Sequence, residues 1–99
     1  MKIYISGKIT GLNLDVARQL FAQAEDWLRG IGHEPVNPMK EVEQLSEDHW
    51  KKMMHDAIRV MMDCDGVYML PNYSDSRGAN IELYIANSLG MQVIYAGAE

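Results

Sequence analysis

The sequence has one cysteine, Cys64, so no intrachain disulfide can form. That fits a reducing compartment and sets the cytoplasm as the expected location. No apolar run approaches the ~20 residues that a membrane span needs. The opening MKIYISG is too short for a secretory signal and reads as a first strand. Basic residues are scarce, nine against fourteen acidic, for a net charge of −5. Long nucleic acid needs a basic stripe, which this balance does not supply. One phosphate is a smaller demand, since a few local basic groups and a helix N-terminus can hold it. There is no internal repeat, no low-complexity stretch and no linker. His33, His49 and His55 are not spaced as a metal set, and Cys64 has no CxxC partner, so no metal is expected.

What is present is ordinary for a globular protein. The 99 residues are 47% hydrophobic and 23% charged. They are expected to form one domain over 1–99, able to bury roughly 60–65% of the surface of its unfolded chain. The pattern alternates strand and helix. Lys2 to Ser6 is short and β-branched. Gly7 to Leu12 is a loop, and Asn13 or Asp15 can cap the helix that follows. Ala17, Leu20, Phe21, Ala24, Leu28 and Ile31 recur at helical spacing until Gly30 and Gly32 end the run. His33 to Asn37 is a second strand closed by Pro38, and Met39 to Glu47 has room for a short helical turn. Trp50, Met53, Met54, Ala57, Ile58, Met61 and Met62 fit the amphipathic helix template, with Asp48 at the N-cap position. Gly66 to Leu70 is a third strand, Asn72 to Gly78 a polar loop, Ala79 to Leu89 a last helix, and Met91 to Tyr95 the final strand. The four methionines from Met53 to Met62 read as core filling. Trp27, off the main stripe of its helix, reads as a subunit contact.

Alternating strands and helices imply a parallel sheet with helices on both faces. In such a sheet ligands bind beyond the C-terminal strand ends, near the switch in strand order. Two loops lie there. Ser6-Gly7-Lys8-Ile9-Thr10-Gly11 fits neither the phosphate-binding loop of nucleotide triphosphatases nor the dinucleotide fingerprint. It reads either as a tight turn or as backbone N–H groups and the Lys8 ammonium offered to a ligand. The second segment, Ser76-Arg77-Gly78-Ala79-Asn80-Ile81-Glu82, puts a carboxylate in the first turns of a helix. Glu82 is in register with Ile85, Ala86 and Leu89, so it lies on the core-facing line, which at the helix start opens onto the strand ends. It is either a glutamate favoured by the helix dipole or a functional carboxylate.

The segments KIYISGKITGL, VNP and CDGVYMLPNYSDSRGANIELYIANSLGMQVI, in that order, resemble the small nucleoside 2-deoxyribosyltransferase-like proteins of the DUF4406 type, frequent in bacteria and phages. The resemblance runs nearly end to end. More distantly, Ser76-x-Gly78-x-x-x-Glu82 is similar to a stretch of the deoxynucleoside 5′-monophosphate N-glycosidases. The resemblance implies a flavodoxin-like fold, a four-stranded parallel sheet in a three-layer sandwich. It also implies cleavage of the N-glycosidic bond of a 2′-deoxynucleoside or its 5′-monophosphate. Carried over, Glu82 is the nucleophile that forms a glycosyl-enzyme intermediate, resolved by water or by an acceptor base, and no cofactor is expected because a carboxylate stabilises the sugar cation. Tyr4 is the first-strand tyrosine that holds this carboxylate. Ser76 and Gly78 bind sugar or phosphate. Arg77 lies outside the distant motif but is placed to pair with phosphate. Tyr73 is available to stack on a base. Asp65 reads as a structural turn residue.

Two departures qualify the resemblance. Relatives of this kind carry an aspartate on the second long helix that faces substrate. The ungapped reading puts Ala57 there and Asp56 one residue early, projecting roughly 130° from the apolar stripe. The chain also stops soon after the last strand, leaving an outer strand available for pairing, so a homodimer or higher homo-oligomer is expected. Three functions fit: a glycosidase or transferase using Glu82, Tyr4 and Asp56; a nucleotide-binding module without turnover; and an assembly protein on an inherited fold.

Overall fold

The computed structural model of the protein describes residues 1–97. Its strands are β1 (Lys2–Ser6), β2 (Glu34–Val36), β3 (Gly66–Met69) and β4 (Gln92–Tyr95), and its helices α1 (Leu14–Gly30), α2 (Pro38–Glu41), α3 (Trp50–Met62) and α4 (Arg77–Ser88). The four strands form one sheet in the order β2-β1-β3-β4, and every pairing is parallel. Helices cover both faces. This is the flavodoxin-like three-layer arrangement expected from the sequence.

Period-two geometry divides the strand side chains between the two layers. Ile3 and Ile5 of β1, with Tyr68 and Leu70 from β3 and its exit, pack on one face against Phe21, Ala24 and Leu28 of α1. Tyr4 of β1 and Val67 and Met69 of β3 pack on the other face with Met61, Cys64, Ala79 and Ala86, from α3, α4 and the turn after α3. Burial on both faces explains why the strands read as short continuous apolar runs.

Local signals set most boundaries. Asn13 caps α1, its Oδ1 accepting from the Asp15 and Val16 N–H groups at 2.8 and 3.3 Å. Gly32, at φ +93°, supplies the left-handed residue after that helix. Asn37 caps α2, and Pro38 opens it. Asp65 Oδ2 accepts from the Lys2 N–H at 2.9 Å, a structural role as expected.

Three expectations are corrected. Asp48 does not cap α3: it lies in a 3-10 turn, Glu47–His49, and the N-cap residue is His49, with no side-chain bond. The last helix starts at Arg77, two residues early, because the Ser76 Oγ accepts from the Ala79 N–H at 3.1 Å. The α3 methionines are not one core cluster: Met61 is fully buried, Met62 is 56% exposed, and Met53 and Met54 line a cavity. Trp27 stacks on Tyr68 within the chain, ring centroids 5.4 Å apart, and is half-buried. Among the described residues, no helix is long and apolar enough to cross a membrane.

Candidate active site

The chain runs from β1 to β2 on one side of the sheet and then crosses to β3 on the other. The switch point therefore lies at the C-terminal ends of β1 and β3, where such sheets bind ligands. An open cavity of about 670 Å³ lies at this end, lined by residues of the loop after β1, α2, the segment before α3, α3 and the start of α4.

Glu82 stands in its wall. The buried line of α4 runs Ala79, Glu82, Ala86, at i, i+3 and i+7, and so directs the carboxylate at the sheet. That line ends before Leu89, which is 55% exposed. Tyr4 and Ser6 are two residues apart on β1, so both present their side chains to the α4 face. The Tyr4 hydroxyl donates to Glu82 Oε2 and the Ser6 hydroxyl to Glu82 Oε1, each at 2.7 Å. The three side chains are at most 5% exposed. Burial pushes the Glu82 carboxyl up, the Ser6 and Tyr4 hydrogen bonds pull it down, and it settles at about 6. Burial and the neighbouring carboxylate raise Tyr4 well above the usual phenol value, so it remains a donor. At neutral pH the site thus holds an ionised but desolvated carboxylate, oriented through both oxygens and open to the cavity.

Of the other expected residues, Lys8, Ile9, Ser76, Arg77 and Gly78 join Glu82 and Tyr4 in the cavity wall. Gly7 also lines it, and its other side is closed: a Cβ there would lie 2.6 Å from Leu70 Cδ1. Three expected roles are corrected. Ser6 is engaged with Glu82, so it acts as a carboxylate donor rather than as a direct ligand for substrate. The Lys8 backbone N–H is taken by Asn72 Oδ1 at 3.0 Å, leaving only the ammonium for a ligand. Tyr73 packs on the α3–α4 core and against Tyr95, at 5.6 Å, away from the cavity.

Asp56 is also placed elsewhere. It pairs with Lys52 Nζ at 2.9 Å and His55 Nδ1 at 3.2 Å, while Ala57 lines the cavity in its stead. One helical step of about 100° separates the two directions.

Sequence reading missed several features. Pro38, Val42 and Leu45 form a wall supplied by α2 and the segment after it. Trp50 lines the cavity, and the Arg77 guanidinium carbon lies 4.3 Å from its ring centroid. Glu25, buried in α1, accepts from Asn37 Nδ2, Arg29 and Lys40 at 2.9–3.0 Å. The signal for Asn37 was the VNP segment, and Glu25, four residues after Phe21 and three before Leu28, lies on the apolar line of α1, a register that already marked it. Among the described residues, no group of three or more His, Cys, Asp or Glu is placed to hold a metal ion. Burial raises Cys64 to about 11, which makes it a poor nucleophile.

No curated protein of established function matches the sequence. A solved structure does match: the 2-deoxyribosyltransferase of the psychrotolerant bacterium Bacillus psychrosaccharolyticus, at TM-score 0.70. The match covers 96% of this chain and 71% of that one at 22% identity, a likeness of fold. The family described as "Domain of unknown function (DUF4406)" matches residues 1–95, and the chain belongs to that family.

Proposed function

We propose that the protein cleaves the N-glycosidic bond of a 2′-deoxynucleoside or its 5′-monophosphate, with Glu82 as the nucleophile. The carrying observation is the buried Glu82 carboxylate, which faces the cavity with hydroxyl donors at 2.7 Å on both oxygens. Each oxygen retains a lone pair after accepting one such bond.

In the first step a Glu82 oxygen bonds to the anomeric carbon and the C–N bond breaks. The electron pair leaves on the base, which takes a proton from solvent. In the second step water attacks the same carbon, the ester bond breaks, a proton is released and the carboxylate returns. A second base in place of water gives transfer. The oxocarbenium-like transition state is stabilised by the carboxylate itself. Tyr4 and Ser6 hold the nucleophile so that little reorganisation is needed at the moment of reaction.

A second reading is a nucleotide-binding module without turnover. The observation favouring it is that Ala57 takes the cavity position expected for an aspartate, while Asp56 pairs with Lys52 and His55 outside. Chromatography of free base released from a panel of deoxynucleosides and their 5′-monophosphates, with melting curves in parallel, separates the two. Release supports the glycosidase. Stabilisation by one nucleotide without release supports the binding module, and at 100 times the dissociation constant it amounts to about 2.7 kcal/mol. Neither signal would contradict both.

A further inference from the structure

Of the nine lysines and arginines only Lys8 and Arg77 line the cavity, while Lys2, Lys51 and Arg59, also without an ion pair among the described residues, lie outside it. Arg18, Arg29, Lys40 and Lys52 each lie within 4 Å of a carboxylate oxygen. Arg77 and Lys8 line the cavity, and among the described residues neither side chain has an ion pair or a hydrogen bond. The carboxylates of Glu47 and Asp75 share the same wall without coming into pairing distance of either. Arg77 is nevertheless not a loose side chain. Its guanidinium lies over the Trp50 ring, 4.3 Å from the centroid. Stacking uses the flat face of the guanidinium and leaves its N–H edge free, the edge that matches a phosphate two bonds at a time. A cation that is braced in place with every donor unspent has already lost much of the freedom that binding would cost.

We propose that Arg77, braced by Trp50, is the group that selects a 5′-phosphate, and that Lys8 supplies a second positive charge from the loop after β1. The substrate is then a 2′-deoxynucleoside 5′-monophosphate in preference to the free nucleoside. This rests on the glycosidase reading of Glu82 and narrows it. Arg77 and Glu82 stand five residues apart on α4, about 7.5 Å of helix rise. That is the scale of one sugar with its 5′ substituent, and both side chains border the same cavity.

The test compares kcat/KM for a deoxynucleoside monophosphate and its matching nucleoside in the native protein, Arg77→Ala, Arg77→Lys and Trp50→Leu. The native protein is expected to prefer the monophosphate. Arg77→Ala should lose about 10- to 100-fold on the monophosphate, the range for charge-assisted hydrogen bonds, and clearly less on the nucleoside. Arg77→Lys should restore only part, because an ammonium offers no planar fork. Trp50→Leu should act in the same direction and weaken with added salt. Equal turnover of both substrates by the native protein, or an equal loss on both in Arg77→Ala, would overturn the proposal.

If neither substrate is turned over, the glycosidase reading fails while the phosphate subsite is still decided by calorimetry. Tighter binding of the monophosphate that disappears in Arg77→Ala would support it. Equal or absent binding would refute it.

Discussion

At the scale of residues, the central economy is that of Glu82. Its carboxyl sits at about 6 in the fold against 4.5 when unburied. The folded protein therefore holds this proton more tightly than the unfolded chain does, and stability falls as pH rises from 4.5 through about 6. The gap is worth about 2 kcal/mol at neutral pH. Glu82→Gln removes that loss. It should melt several degrees above the native protein at pH 8, about 4–8 °C per kcal/mol for a domain of this size. At pH 4.5 the difference should largely close, and melting curves at the two values check it. Tyr4→Phe removes the donor to Oε2. With one fewer bond to the charged form, the acid limb of the pH–rate profile should move above pH 6. An unmoved limb would mean that Tyr4 does not tune the nucleophile. Glu82 was marked by its register on the core-facing line of the last helix, which left two readings open, and Tyr4 was named only through the family resemblance. Ser6 was assigned to substrate because strand parity was not used to pair it with Tyr4.

At the scale of elements, the sequence located the strands and long helices well, because buried strands and amphipathic helices carry strong periodic signals. It erred at element ends and in short segments. The capped start of α4 and the 3-10 turns rest on a few local hydrogen bonds, which periodicity does not encode. The α2 segment forms a wall of the cavity through Pro38 and Val42, and it is fastened by one buried network. Burial opposes ionisation of Glu25, but hydrogen bonds from Asn37, Arg29 and Lys40 outweigh it and hold its carboxyl at about 2. Because this value lies below 4.5, the network contributes stability above that pH and loses it as pH falls toward 2. Arg29 and Lys40 are well exposed, so the contribution is reduced by solvent screening. Glu25→Gln should lower stability at pH 7 and flatten the decline between pH 4.5 and 2. Acid titration of stability reads this directly, and an unchanged slope would show that other carboxylates govern it.

At the scale of the whole molecule, three layers place a desolvated carboxylate and two unpaired cations around one open cavity. Among the described residues the outer strands β2 and β4 each have one neighbour, so each leaves one sheet edge unpaired. Tyr84, Met62 and Leu89 are 74%, 56% and 55% exposed. These features support the proposal that the protein works as a homodimer or larger homo-oligomer. Sedimentation at micromolar concentration should give a mass above that of one chain, and a stable, folded monomer would contradict it. The fold was legible because it follows from patterning over the whole chain. The Arg77–Trp50 pair was not, since it joins two helices whose approach only the packed structure defines. The most direct test of the account is free-base release at pH 7.5 by the native protein and by Glu82→Gln, with a melting curve for each. The account predicts release by the native protein and its loss by several orders of magnitude in a variant that is folded and more stable. Release that survives in folded Glu82→Gln would contradict it.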